Sequence, residues 1–144
     1  MEYLGRIIWQ MQRNGQMFLD RALKPYRLGA GQANMLFMLF QREGISQEEI
    51  SRRLHIDKAA TAKTVQRLLR EGYVERTRDD NDRRTYHISV TDKGRALENA
   101  VADIRSEWEA ILLKGFDDAE AEQARTLLNR MLENSMTIVR EEKP

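Results

Sequence analysis

One stretch of this chain leaves its backbone few options. Ser46-Gln47-Glu48-Glu49 has the spacing of a helix capping box, in which the Ser46 hydroxyl accepts from the Glu49 amide and the Glu49 side chain reaches back. Ile45 and Ile50 flank it at the positions of a hydrophobic staple. A helix is therefore expected to start at Gln47, to turn Ile50 and Leu54 inward, and to end near His55. Asp57 then stands as the N-cap of a second helix, Lys58 to Glu71. Gly72 is the residue type found just past a helix end. Two helices joined by a short turn form a helix-turn-helix pattern.

The period then changes. Tyr73 to Thr77 is β-compatible, and Thr85 to Val90 alternates, with Tyr86, Ile88 and Val90 on one face and Thr85, His87 and Ser89 on the other. Between them runs a wholly polar turn, Arg78-Asp79-Asp80-Asn81-Asp82-Arg83-Arg84. The expectation is a two-stranded hairpin set directly after the second helix, the position of a wing.

The flanking segments read as helices. Leu4, Ile7, Ile8, Met11, Phe18 and Ala22 recur at helical spacing until Pro25 stops the pattern. Tyr26–Gly31 reads as a connector. Asn34 to Gln41 is apolar nearly all round, as a buried central helix would be, and Gly44 ends it. Beyond the hairpin, Thr91 is expected to cap one long helix. On it Leu97, Val101, Ile104, Trp108 and Ile111 are spaced close to a heptad seam that would pair with a partner. Gly115 breaks that helix, and Asp117-Asp118-Ala119-Glu120 starts a last one, with Ala124, Leu127, Leu128, Met131, Ser135, Ile138 and Val139 on its inner face. The tail Glu141–Pro144 is expected to fray.

The expected fold class is mainly α with a small β-hairpin: a winged helix-turn-helix domain flanked by dimerisation helices. The expected parts are residues 1–30, an N-terminal dimerisation helix and connector; 31–94, the winged helix-turn-helix; and 95–144, C-terminal dimerisation helices.

Charge divides along the same lines. The formal net charge is only +1, yet between Arg52 and Arg84 ten Lys/Arg face six Asp/Glu, whereas from Arg95 on seven face eleven. A basic middle suits a polyanion that the acidic C-terminal part would repel. The absence of cysteine excludes disulfides and thiolate chemistry. Arg6 and Arg13 interrupt the N-terminal apolar pattern, so neither a leader nor a membrane span is expected, and the cytoplasm is the default compartment.

The second helix of the unit has an inner face of Thr61, Val65 and Leu68 and an outer side of Ala59, Ala60, Lys63, Gln66 and Arg67. Small residues at its start would allow close approach to a nucleic-acid groove, and alanine methyls can meet thymine methyls. Lys63, Gln66 and Arg67 can donate to bases or phosphates, while Lys58 suits phosphate. An ordinary solvated helix face has the same composition. Arg78, Arg83 and Arg84 on the turn would reach a flanking minor groove, where narrow A·T-rich tracts concentrate negative potential. The free amides at Ser46 and Gln47 suit a phosphate. The acids Asp79, Asp80 and Asp82 run against that reading, unless one of them holds an arginine extended.

The run Asp82-Arg83-Arg84-Thr85-Tyr86-His87-Ile88-Ser89-Val90-Thr91-Asp92-Lys93-Gly94 resembles the wing signature of the MarR (multiple antibiotic resistance regulator) family. Leu68-Leu69-Arg70-Glu71-Gly72-Tyr73-Val74-Glu75-Arg76 is similar to the family's passage from recognition helix to wing. The resemblance implies a homodimeric regulator of transcription that binds double-stranded DNA. It implies that Arg84 enters the minor groove with Asp82 orienting it, and that the helix carrying Ala60, Lys63 and Arg67 enters the major groove. It also implies that the N-terminal and last two helices pair two subunits, and that a small aromatic or anionic effector binds between those helices and the DNA-binding lobe. The oxidant-sensing members use a cysteine that this chain lacks.

Trp9, Met11, Met35 and Met38 are the candidates to line such an effector pocket, although such residues at helical spacing are also core or interface. No cofactor, metal or catalytic set is expected. Asp79, Asp80 and Asp82 lack the central glycine and terminal glutamate of a calcium loop, and His55 and His87 are too few for zinc. The alternative from another class is a winged-helix protein–protein module that binds no DNA.

Overall fold

The computed structural model describes residues 3–141. The chain falls into two compact units, one up to Trp108 and one from Glu109 on.

The first unit opens with α1 (Leu4–Leu23), closed by a 3-10 turn at Lys24–Tyr26 that carries Pro25. Helix α2 (Ala30–Gln41) starts at Ala30 rather than Asn34. The Gln32 side-chain oxygen accepts from the Gly29 N–H at 2.7 Å, a cap that lets the helix absorb Gly31 and bury Ala30 and Ala33. Then follow β1 (Ile45–Ser46), α3 (Gln47–Leu54), α4 (Lys58–Arg70), β2 (Val74–Arg78) and β3 (Tyr86–Val90). The sheet has three antiparallel strands in the order β1-β3-β2, where the sequence suggested two. Ile45 pairs with Ile88 and Ser46 with His87, so the residues read as staple and cap also hold α3 to the wing.

The core lies between α2, the helix pair and the sheet. Met35, Leu36, Leu39, Ile50, Val65, Leu68 and Ile88 are wholly buried. The central helix and the inward residues of α4, Thr61, Val65 and Leu68, are as the periodicity predicts.

The helix after the wing departs from expectation. Thr91 caps only α5 (Asp92–Arg95), and α6 (Glu98–Leu112) begins anew. The Leu97 N–H bonds the Gly94 carbonyl at 3.0 Å, a three-residue step that tightens the backbone and resets the helix. The heptad-like seam is also not free from Leu97 to Trp108, although Ile111 at its end is exposed. Val101 is 1% exposed in the chain's own core, with Leu97 and Ile104 packed against it, and Trp108 stacks on Phe18 of α1 at 5.4 Å between centroids. That stretch is spent within the chain, since side chains on a core-facing stripe follow nearly the same period as a coiled-coil seam.

The second unit holds the end of α6 and α7 (Asp118–Glu141), joined through Gly115 at φ 87°. Asp117 and Glu120 cap α7 reciprocally, at 2.8 and 3.0 Å. The face of α7 read as inner is not buried: Leu127, Leu128, Met131 and Ile138 are exposed, and the Val139 side chain lies outside the described residues. The expectation of a frayed tail concerns positions of which 142–144 are likewise outside them. The N-terminal half of α1 is similar, with Leu4, Ile7, Ile8 and Met11 exposed. Among the described residues no helix is long and apolar enough to cross a membrane.

Candidate nucleic-acid interface

Helix α3 starts where expected, with the Ser46 hydroxyl accepting from the Glu49 N–H at 3.2 Å. The other half of the capping box is replaced. Glu49 turns to Arg52 and to Arg53, whose Nε lies 2.6 Å away, and these guanidiniums hold its carboxyl below the usual range. Both cations of α3 thereby share one carboxylate, which offsets half of their charge. His55, in the left-handed conformation at φ 53°, turns the chain toward α4. There Asp57 accepts from the Ala60 N–H at 2.7 Å, and its carbonyl accepts the Thr61 hydroxyl at 2.9 Å.

With Thr61, Val65 and Leu68 fixed in the core, the helical period dictates what α4 presents outward. Lys58, Ala59, Lys63, Gln66 and Arg67 are exposed, as anticipated; Ala60 is half-buried on the flank. Ala62 and Arg70 share the exposed face and were missed. Both were legible, because they stand three residues from Ala59 and from Arg67. Lys63, Gln66, Arg67 and Arg70 also line a surface hollow together with Thr64, Glu71 and Gln32 of α2.

The acids of the wing build its turn. Asp79 accepts from the N–H groups of Asn81 and Asp82 at 2.7 and 2.8 Å, and its second oxygen meets His87 Nε2 at 2.5 Å. The bond to His87, and then the two N–H groups, lower its pKa to about 2. Asp82 accepts from the Arg84 N–H at 3.0 Å and the Thr85 hydroxyl at 3.1 Å. It therefore acts on the backbone at Arg84; the expectation, that Asp82 orients Arg84, left the atoms open. Arg83 and Arg84 are exposed at the tip. Arg78 is exposed on β2 and donates to the Tyr86 hydroxyl at 2.6 Å. Gln47 is half-buried and takes a bond from Arg76 at 3.0 Å.

The wing's exit is locked to the end of α4. The Thr91 hydroxyl donates to the Gly72 carbonyl at 2.6 Å while accepting from the Gly94 N–H at 3.1 Å. The Lys93 ammonium donates to the Glu71 carbonyl at 2.6 Å and lies 4.8 Å from the centroid of the Tyr73 ring. The end of α4 and the exit of the wing are thus tied to each other by side-chain bonds.

The four candidates for an effector pocket differ in burial. Met35 is wholly buried and Met38 packs against the core, whereas Trp9 and Met11 lie exposed on α1. Met35 would meet a ligand only if the core opened.

This arrangement, a capped helix pair, an outward basic helix and an arginine-tipped wing, has close counterparts. Residues 28–86 match the model of the MarR family. Over 119 residues the chain is 34% identical to the HTH-type transcriptional regulator BilQ of Clostridioides difficile (strain CD3), covering 83% of this chain and 80% of that protein. The chain belongs to the MarR family. A solved MarR transcriptional regulator from Methanosarcina mazei Go1 shares its fold at a TM-score of 0.87 and 40% identity, over 96% of this chain and 99% of that one. A mutant MarR from E.coli, solved in complex with operator DNA, matches at a TM-score of 0.81 and 25% identity, over 90% and 93% of the two chains. As a MarR-family member the chain is a winged-helix transcription regulator and not an enzyme.

Proposed function

We propose that this regulator binds pseudo-palindromic operator DNA as a homodimer in the cytoplasm and acts as a repressor. The observation that carries the reading is the convergence of Lys63, Gln66, Arg67 and Arg70 on the exposed face of α4, whose end is bonded to the exit of the wing that bears Arg83 and Arg84 at its tip. Residue types and geometry fit α4 in the major groove and the wing in the adjoining minor groove. In that pose Ser46, Gln47, Lys58 and Arg78 meet phosphate, Ala59 and Ala60 meet bases, and Asp82 keeps the arginine tip in shape. A bound dimer would occlude a promoter.

Dimerisation is supported by the exposed apolar residues on α1 and on α7, surface of a kind that soluble monomers seldom leave open. Release by a small aromatic or anionic effector would require that ligand to prefer the DNA-incompetent state. A full switch needs about 5.5 kcal/mol of differential affinity.

Gel shifts on fragments of the source genome test the reading. Wild-type protein is expected to show site-selective binding that weakens steeply with salt, and Arg84→Ala to bind at least tenfold more weakly, the equivalent of about 1.4 kcal/mol. If the wild type binds no fragment selectively, the protein–protein module without DNA binding becomes the better account.

A further inference from the structure

Outside the wing, the arginines of this chain with the closest polar partners lean on carboxylates. Arg52 and Arg53 pair with Glu49, Arg95 with Glu43 and Glu98, and Arg125 with Glu109 and Glu122. Two arginines on β2 are held in another way. The guanidinium carbons of Arg76 and Arg78 each lie 5.2 Å from the centroid of the Tyr86 ring. Arg78 Nη2 donates to the Tyr86 hydroxyl at 2.6 Å, and Arg76 Nη2 donates to Gln47 Oε1 at 3.0 Å.

Every one of these partners is neutral, so both charges persist. The register explains why the two share a ring. Arg78 pairs with Tyr86 and Arg76 with Ile88, which puts both arginines on Tyr86's face of the ribbon and leaves Glu75 and Thr77 on the other. Both arginines are exposed and Tyr86 is half-buried. Two like charges gathered around one ring repel each other, and the arrangement makes sense where a polyanion completes it. A guanidinium carries five N–H donors, so each arginine keeps donors free after its bond to Tyr86 or Gln47. Side chains ordered before binding also lose less entropy when they meet a ligand.

We infer that Tyr86 is a positioning residue that holds Arg76 and Arg78 as a paired clamp for two DNA phosphates, with Gln47 tying the clamp to the start of α3. The inference rests on the DNA-binding reading above. It adds Arg76 to the phosphate contact already proposed for Arg78 and makes the two one unit on the shaft of the wing. Such a contact fixes register and orientation without reading sequence.

The test is fluorescence anisotropy on a labelled random-sequence duplex, with affinity followed against salt concentration. For each phosphate that the protein no longer neutralises, the slope of log K against log salt becomes shallower by about 0.9. Arg76→Gln and Arg78→Gln are expected to reduce it by about that amount each, and Tyr86→Leu by about as much as both together. Tyr86→Phe, which keeps the ring, is expected to stay near the wild-type slope. A wild-type slope in either arginine variant overturns the clamp. A wild-type slope in Tyr86→Leu, or a Tyr86→Phe slope as shallow as that of Tyr86→Leu, overturns the ring's role. Should Tyr86→Leu not fold by circular dichroism, the arginine variants and Tyr86→Phe carry the test. If Arg67→Ala weakens binding while the arginine and tyrosine variants leave the slope intact, only this inference fails. If wild-type protein binds no duplex at all, the DNA-binding reading fails with it.

Discussion

At Gly94 the backbone of the wing's exit passes too close to its neighbours for any side chain. A Cβ there would sit 2.1 Å from the Tyr73 carbonyl oxygen and 2.7 Å from Val90 Cγ1. The glycine of the Thr-Asp-Lys-Gly run is therefore a packing requirement. Overpacking of this kind costs about 1–3 kcal/mol or more, so Gly94→Ala should lower the urea midpoint with little change in the slope of the transition. An unchanged midpoint would show that the packing there yields. Asp79 carries a prediction of a different kind. Its carboxyl falls from 3.8 to about 2 because His87 and two N–H groups bind the charged form. A folded pKa below the unfolded one means stability that is present above pH 3.8 and is lost as pH falls toward 2. Asp79→Asn should flatten the pH dependence of stability in that window, and a carbon-detected NMR titration of wild type should place the Asp79 midpoint near 2. An ordinary midpoint would mean that the clasp to His87 is absent in solution.

Among the elements, those whose ends are written in local chemistry were legible. The caps at Ser46 and Asp57, the stop after Arg70 and the cap at Asp117 each depend on residues a few positions apart, so periodicity and end signals suffice. Asp57→Ala should cost about 1 kcal/mol, read as a shift in thermal midpoint, with α4 fraying first in hydrogen exchange. The elements that were misread depend on distant partners. The pairing of β1 with β3 needs Ile45 to meet Ile88. Two residues carry no strand pattern of their own. The break between α5 and α6 lies where Gly94 packs against Tyr73 and its carbonyl takes the Leu97 N–H, and the Tyr73 contact is an approach from across the hairpin. In the same way, Glu49 fits a capping box by its spacing, but Arg52 and Arg53 compete for its carboxylate and win. In the capping box the carboxylate would meet a neutral N–H, whereas against Arg52 and Arg53 donor and acceptor are both charged.

For the molecule as a whole, the apolar residues divide into a buried set and an unburied one, and the two should respond differently. Val101 belongs to the chain's own core. Val101→Ala should cost about 2 kcal/mol in stability and leave the oligomeric state unchanged. Leu128, 47% exposed on α7, belongs to the unburied set. Wild-type protein should scatter light as twice 16.9 kDa, and Leu128→Asp should shift it toward the monomer while keeping its helicity. If wild type is a monomer at micromolar concentration, the dimer proposal is wrong. If Leu128→Asp remains a dimer, α7 is not the surface that pairs. Charge adds a constraint at this scale. The basic stretch from Arg52 to Arg84 contains both the exposed face of α4 and the wing. A polyanion drawn by that field would be favoured at α4 and the wing over the acidic C-terminal part, which agrees with the proposed interface.

By itself, the sequence determined the winged helix-turn-helix, the inner face of α4 and the arginine-tipped turn. Each of these is encoded by period, cap and turn residues within a few positions of one another. Only the tertiary structure decided how those parts are held. It put Asp79 and Asp82 to work on the turn backbone, drew Leu97, Val101 and Ile104 of the heptad-like seam into the chain's own core, and gathered Arg76 and Arg78 around Tyr86. The physical reason is common to all three. Which partner a charge or an apolar stripe takes is settled by competition among groups far apart in sequence, and a local pattern shows only that a partner is needed.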